Sequence, residues 1–142
     1  MHLIAVSARV PGWLTGLEAD YAVRLKIFRL HTETIKPAPP AKEAAIVLSR
    51  LPDNAQLILL DAAGRQCDSD AFSVFLETRM QEVRPLFFVL GGVSGPPPLV
   101  RERADACLSL SPLTFAHTVA RLVFVEQIFR ADCILRGHPY PK

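Results

Sequence analysis

The sequence predicts an α/β protein with a mostly parallel sheet. Three observations carry this. The runs Gln56–Leu60 and Leu86–Leu90 are almost continuously apolar and bounded by turns, as strands buried on both faces are. Stretches with apolar residues three and four apart, the period of one helix face, lie between such runs. Strand and helix signals alternate along the chain, and no internal repeat is found.

Taken in order, His2–Val6 reads as a short strand, broken by Pro11-Gly12. From Trp13 to Phe28, the residues Leu14, Leu17, Tyr21, Leu25 and Phe28 mark one helix face. Leu30–Ile35 alternates like a strand, and Lys36–Pro40 is a loop. A short helix over Ala41–Leu51 stops near Pro52-Asp53-Asn54. After the Gln56–Leu60 strand, Asp68 or Ser69 can cap a helix whose buried stripe is Phe72, Phe75, Leu76, Arg79, Met80 and Val83. Pro85 ends it, and Leu86–Leu90 follows as a strand. Pro96-Pro97-Pro98 suits a helix start, where missing N–H groups cost little, and that helix runs to about Ala106. Cys107–Ser111 is the last strand. The final helix spans about Thr114 to Arg136 and stops at Gly137. Its apolar residues cover nearly every side, so both faces need burial, one of them against a second subunit.

Composition narrows the function classes. At 142 residues, residues 1–142 fit one domain, and half of them are hydrophobic, enough for a sizeable core. A formal net charge of +2 is far from the strongly basic signature of many nucleic-acid binders. RNA binding would need a local basic patch or two chains pooling charge. Cys67, Cys107 and Cys133 have neither metal-site nor redox spacing, which suits free thiols in a reducing compartment and no metal. Met1–Val6 lacks the charged region of a signal peptide, and Leu86–Val100 is too rich in glycine and proline for a membrane helix. A soluble cytoplasmic protein is expected.

The candidate site lies in the last third. The strand Leu86–Leu90 opens into the turn Gly91-Gly92-Val93-Ser94-Gly95, where glycine lets a backbone approach a ligand closely or simply turns tightly. It is neither a phosphate-binding loop nor a dinucleotide fingerprint. The last strand opens into Leu110-Ser111-Pro112-Leu113-Thr114-Phe115, whose backbone suits an adenine edge, or whose Ser111 and Thr114 cap the helix. Two such loops side by side at a sheet edge form the usual site for a small polar cofactor. On the helix stand His117, Arg121, Glu126 and Arg130. Glu126 and Arg130, four apart, can pair. The tail Arg136-Gly137-His138-Pro139-Tyr140-Pro141-Lys142 is basic and aromatic, and Tyr140 can stack on an extruded base or lie in a frayed end.

The Gly-Gly-x-x-Gly turn at Gly91–Gly95, Leu-Ser-Leu-Ser-x-x-Thr-x-x-His at Leu108–His117, and Glu-Gln-x-x-Arg-Ala at Glu126–Ala131 occur in one order and spacing. Together they resemble the RlmH family, strongly from Gln56 to Tyr140 and faintly before. These are SPOUT-class methyltransferases that use S-adenosylmethionine to methylate N(3) of a pseudouridine in 23S ribosomal RNA. The resemblance implies a Rossmann-like fold with a deep C-terminal trefoil knot, and a homodimer that shares its active site across the interface. It implies cofactor binding by Leu60, Gly91, Leu110, Ser111, Pro112, Leu113, Thr114 and Phe115. Arg130 and Tyr140 then face RNA phosphate or the target base, and His138 or a water assists the loss of the N(3) proton. This chain departs from the family in having Pro141 where a tail histidine is usual, Phe129 for a tyrosine, and no acidic residue before Gly95. The altered tail leaves open a relative that binds cofactor or ribosome without transferring methyl.

Overall fold

The computed structural model describes Met1–Tyr140; Pro141, the tail residue that departs from the family, lies outside the described residues. Ten elements alternate: β1 (His2–Val6), α1 (Gly12–Arg24), β2 (His31–Ile35), α2 (Pro40–Ser49), β3 (Gln56–Gln66), α3 (Ser69–Gln81), β4 (Leu86–Leu90), α4 (Pro98–Arg103), β5 (Ala106–Ser109) and α5 (His117–Leu135). The five strands form one sheet in the order β2-β1-β4-β3-β5, and every pairing is parallel.

Alternate strand residues feed two cores. Leu3, Ala5, Ile58, Leu60, Phe88 and Leu90 meet Phe72 and Leu76 of α3 and Phe124, Val125 and Ile128 of α5. Ile4, Val6, Leu57, Leu59, Phe87 and Val89 meet Ala44 and Val47 of α2 and Val100 of α4. Because β4 and β3 are covered on both faces, they read as unbroken apolar runs and not as alternating ones.

Several boundaries differ from the sequence reading, each for a local reason. The helix expected to reach Phe28 ends at Arg24, because the Asp132 carboxylate captures the amides of Lys26, Ile27 and Phe28 at 3.0, 2.7 and 3.1 Å. β3 continues past Leu60 to Gln66 through an irregularity, and both Leu60 and Arg65 align with Leu108 of β5. Gly64 permits that second approach, since a Cβ there would lie 2.4 Å from the Leu108 carbonyl carbon. Met80 is 44 % exposed and Val83 98 % exposed, outside the stripe expected for α3. Asp68 is the cap of that helix, accepting from the Ala71 amide at 2.8 Å. α5 starts at His117 and not at Thr114; neither Ser111 nor Thr114 caps it, and Ser111 Oγ instead accepts from the Leu113 amide at 2.9 Å.

α5 runs antiparallel to the strands along one face of the sheet. Its 19 residues span roughly 28 Å at the helical rise, from one sheet edge to the other. Phe124, Val125, Ile128, Phe129, Ala131 and Cys133 are buried, while Val119 remains 42 % and Ile134 36 % exposed. One side of the helix is therefore open in the single chain.

Candidate functional site at the carboxyl edge of the sheet

In parallel sheets, ligands bind beyond the carboxyl ends of the strands, where successive loops part. Here the irregular stretch of β3 that begins at Leu60 and the loops after β4 and β5 surround a cavity of about 600 Å³. Of the residues expected to hold a cofactor, Leu60, Gly91, Leu110, Ser111, Thr114 and Phe115 line it. Pro112 and Leu113 do not, and Leu113 is 72 % exposed. Residues 50 positions apart in sequence thus share one wall because their strands are neighbours in the sheet.

The glycine turn is shaped from within. Gly95 donates its amide to the Gly92 carbonyl at 3.0 Å and takes φ +72°, the left-handed region where L side chains are strained. A Cβ on Gly91 would lie 2.4 Å from Pro96 N and 2.5 Å from Gly95 C. Glycine at position 91 is thus required by the turn's own backbone, the tight-turn alternative that the sequence leaves open beside close approach to a ligand.

Three lining residues are ionisable: Asp61, Arg101 and His117. Asp61 accepts from the Ala63 amide at 2.9 Å and from Arg101 Nη2 at 2.6 Å. The Ala63 amide first, then Arg101 against the opposing effect of burial, hold its carboxyl below the usual range. Both ring nitrogens of His117 are buried without a partner; they face the Leu90 and Gly91 backbone but close no hydrogen bond. Burial, then the charge of Arg121 one turn along, lowers the His117 pKa, so the imidazole is neutral at physiological pH. Arg121 itself is 3 % exposed and locked: Nη2 meets Glu18 Oε2 at 2.8 Å and Nη1 meets Thr34 Oγ1 at 2.7 Å. Sequence reading passed over Glu18, because nothing local signals a partner 103 positions away.

The residues expected to face RNA lie elsewhere. Arg130 is thirteen residues beyond His117 on α5, roughly 20 Å along the helix. Its guanidinium sits 4.9 Å over the Tyr140 ring and meets Glu126 Oε1 at 2.8 Å. Tyr140 stands edge-on to Phe129 at 4.8 Å, and Arg24 covers the Phe129 ring at 4.3 Å. Burial, then a hydrogen bond with Tyr21 and the nearby Glu126 charge, keeps the Tyr140 phenol protonated far above its usual range. Glu126 also accepts from Gln127 Nε2 at 2.7 Å, and Gln127 Oε1 accepts from Ser69 Oγ at 2.7 Å. His138 is exposed past the helix end, its amide bonded to the Cys133 carbonyl at 2.9 Å. The chain therefore holds two separate clusters, one at each end of α5. Among the described residues no three His, Cys, Asp or Glu side chains gather as a metal site would, and no helix is long and apolar enough to cross a membrane.

A parallel sheet whose carboxyl-edge loops enclose such a cavity, with a long closing helix, defines a Rossmann-like ligand-binding protein. The family model described as predicted SPOUT methyltransferase matches residues 1–141, and the chain belongs to that family. It is 41 % identical over 145 residues to the ribosomal RNA large subunit methyltransferase H of Acidiphilium cryptum, covering 99 % of this chain and 92 % of that one. It is 36 % identical to the protein of the same name in Thioalkalivibrio sulfidiphilus, covering 99 % and 97 %. Among solved structures, one from Bacillus anthracis described provisionally as an RNA methyltransferase superposes with TM-score 0.56 at 15 % identity over 99 % of both chains. A SpoU methyltransferase from Streptomyces viridochromogenes, solved with the cofactor AdoMet, matches with TM-score 0.50 at 12 % identity over 96 % of this chain and 61 % of that one. These two likenesses show the shared fold.

Proposed function

We propose that this chain is an S-adenosylmethionine-dependent methyltransferase of large-subunit ribosomal RNA, acting at N(3) of a pseudouridine. The observation that carries the reading is the meeting of Leu60, Gly91, Leu110, Ser111, Thr114 and Phe115, from three strand ends, around one cavity. Its volume falls within the range of small-molecule sites. Its walls are largely backbone and apolar side chains, suited to an adenine ring and its polar edge. A neutral His117 spares a cationic sulfonium a repelling charge.

When bound, the sulfonium supplies an electrophilic methyl group. The chain's task is alignment of the acceptor nitrogen at about 3 Å and exclusion of water. Gly91 and the 110–115 loop would fix the cofactor. Arg130 offers a permanent cation with several donors to phosphate or an anionic base, and Tyr140 offers a stacking face. The N(3) proton leaves to His138 or to a water.

These two clusters lie too far apart to meet one base in a single chain, since roughly 20 Å of helix separates them. We infer that two copies assemble with Arg130 and Tyr140 of one protomer facing the cavity of its partner. The open stripe of α5 at Val119 and Ile134 suits such contact. The C-terminal trefoil threading belongs with this reading: the chain leaves β5 at the sheet's margin yet α5 begins beneath the end of β4, beside Leu90 and Gly91. On this reading residues 1–142 act as one domain, in a soluble cytoplasmic dimer. The test is incubation of large subunits from cells lacking the gene with purified protein and methyl-labelled S-adenosylmethionine, followed by reverse transcription. Label in 23S RNA with a stop at one pseudouridine is expected. Cofactor binding with no label would leave a non-catalytic relative in its place.

A further inference from the structure

We propose that Arg101 is a positioning residue that sets the shape of the cofactor cavity by clamping two of its walls together, with Asp61 as its anchor. The inference rests on the reading of this cavity as the S-adenosylmethionine site. Arg101 lies on α4, outside every motif that marks the site in the sequence. Its Nη2 holds the Asp61 carboxylate at 2.6 Å, at the point where β3 leaves its regular course. Its Nε holds the Pro96 carbonyl at 3.1 Å, where the glycine turn ends. One planar guanidinium thus ties the irregular stretch of β3 to the loop after β4, and both line the cavity.

Gly95 shows how closely the three parts fit. A Cβ there would lie 3.0 Å from Arg101 Nη2 and 3.4 Å from Asp61 Oδ2, at a backbone angle that already disfavours a side chain. Asp61 is itself held from behind by the Ala63 amide, so it is a fixed anchor and not a drifting surface charge. The Asp61 side chain is 15 % exposed and that of Arg101 43 %, so the pair contributes modestly to global stability. Its effect falls on the spacing of the turn that carries Gly91. Lysine replaces it only in part: an ammonium keeps the charge but lacks the planar fork that spans the carboxylate and the Pro96 carbonyl.

The test is calorimetry of wild type and Arg101→Met with two compounds, S-adenosylmethionine and 5′-methylthioadenosine, which lacks the amino-acid end. A clamp that shapes the cavity predicts that both bind about five- to tenfold more weakly in Arg101→Met. The KM for cofactor rises by the same five- to tenfold, a larger change than any fall in kcat. Arg101→Lys gives an intermediate loss, and adding Asp61→Asn to Arg101→Met costs nothing further, because the two act as one unit. Unchanged affinity for both compounds overturns the clamp. Loss confined to S-adenosylmethionine also overturns it, and would make Arg101 a direct partner of the cofactor carboxylate. Failure of wild type to bind either compound would overturn the cofactor reading instead.

Discussion

At the carboxyl edge of the sheet the backbone is left open, with glycine turns, a neutral unpartnered imidazole and a cavity of about 600 Å³. At the amino edge polar side chains, two of them carboxylates, satisfy the backbone. Asp105 accepts from the Leu57 amide at 2.8 Å and pairs with Arg84 and Arg103 at 3.4 and 3.3 Å. Asp132, fully buried, takes three amides through Oδ1 and Arg136 Nε through Oδ2 at 2.7 Å. Gln56, also buried, donates to the Arg79 and Arg84 carbonyls. The difference divides labour: the closed edge holds the fold, and the open edge keeps backbone and space for a ligand. What the comparison leaves unexplained within one chain is the Arg130–Tyr140 cluster, which stands at the closed edge although its proposed work is at the open one.

The largest effect tests that mismatch directly. Arg130→Ala/Tyr140→Ala is expected to lose about a thousandfold in methylation rate while cofactor affinity holds. Gly91→Val should lose cofactor binding, because its side chain collides with Pro96 and Gly95. If the clusters meet across a dimer, mixing and re-associating the two dead variants one to one restores about a quarter of the wild-type sites, one in each mixed dimer. No recovery in re-associated mixtures confirmed to contain mixed dimers would break the proposed division between protomers.

The closed edge makes the next prediction. Asp132→Ala removes the shared acceptor of three amides, that of Phe28 buried and those of Lys26 and Ile27 partly so, and should cost about 3 kcal/mol, lowering the thermal midpoint by roughly 10 °C. Burial opposes ionisation of Asp132, but the amides of Phe28, Ile27 and Lys26 with Arg136 outweigh it and hold its pKa below the ordinary value. A lowered carboxylate pKa gives stability that is complete above about pH 4 and is lost as pH falls through the folded value. Asp132→Asn should therefore flatten part of the acid limb of the stability curve. Acid melting curves of wild type and variant that stay parallel down to pH 3 would remove Asp132 from this role.

The same contrast explains what was legible in the sequence. The strands, the glycine turn, the 110–115 loop and the alternation of elements were readable because local period and turn chemistry determine them. The meeting of the glycine turn and the 110–115 loop at the carboxyl edge was readable for the same reason: strand ends are where such loops go. The long-range partnerships of carboxylates were not. Glu18 with Arg121, Asp132 with Lys26–Phe28, and Asp105 with Leu57 join positions 103, about 105 and 48 apart, and a lone carboxylate in a helix or loop carries no mark of its partner. α1 was read four residues too long because the apolar period persists through Leu25 and Phe28 while a distant aspartate takes the amides of Lys26, Ile27 and Phe28. Arg101 was missed because an arginine on a short helix looks like any solvated charge.

The smallest predicted effect concerns His117, the one ionisable cavity residue without a partner for its ring nitrogens. Its folded pKa is lowered by burial, then by Arg121, so protonation in the folded chain is disfavoured relative to the unfolded chain, whose histidine titrates near 6.5. The unfolded state binds more protons in the window just below that value, and stability there must fall as pH falls. Above about pH 7 both states are neutral at this residue and it contributes no slope. Cofactor affinity should follow the same course, flat from about pH 7 to 8 and weakening as pH falls through the lowered folded value, as a cation forms beside the site of the sulfonium. His117→Gln keeps a hydrogen-bonding side chain of similar reach but cannot gain charge. It should bind cofactor within about threefold of wild type at pH 7.5 and lose less affinity at pH 5.5. Calorimetry at those two pH values decides it: an identical pH response in wild type and His117→Gln would place the titrating group elsewhere at the open edge.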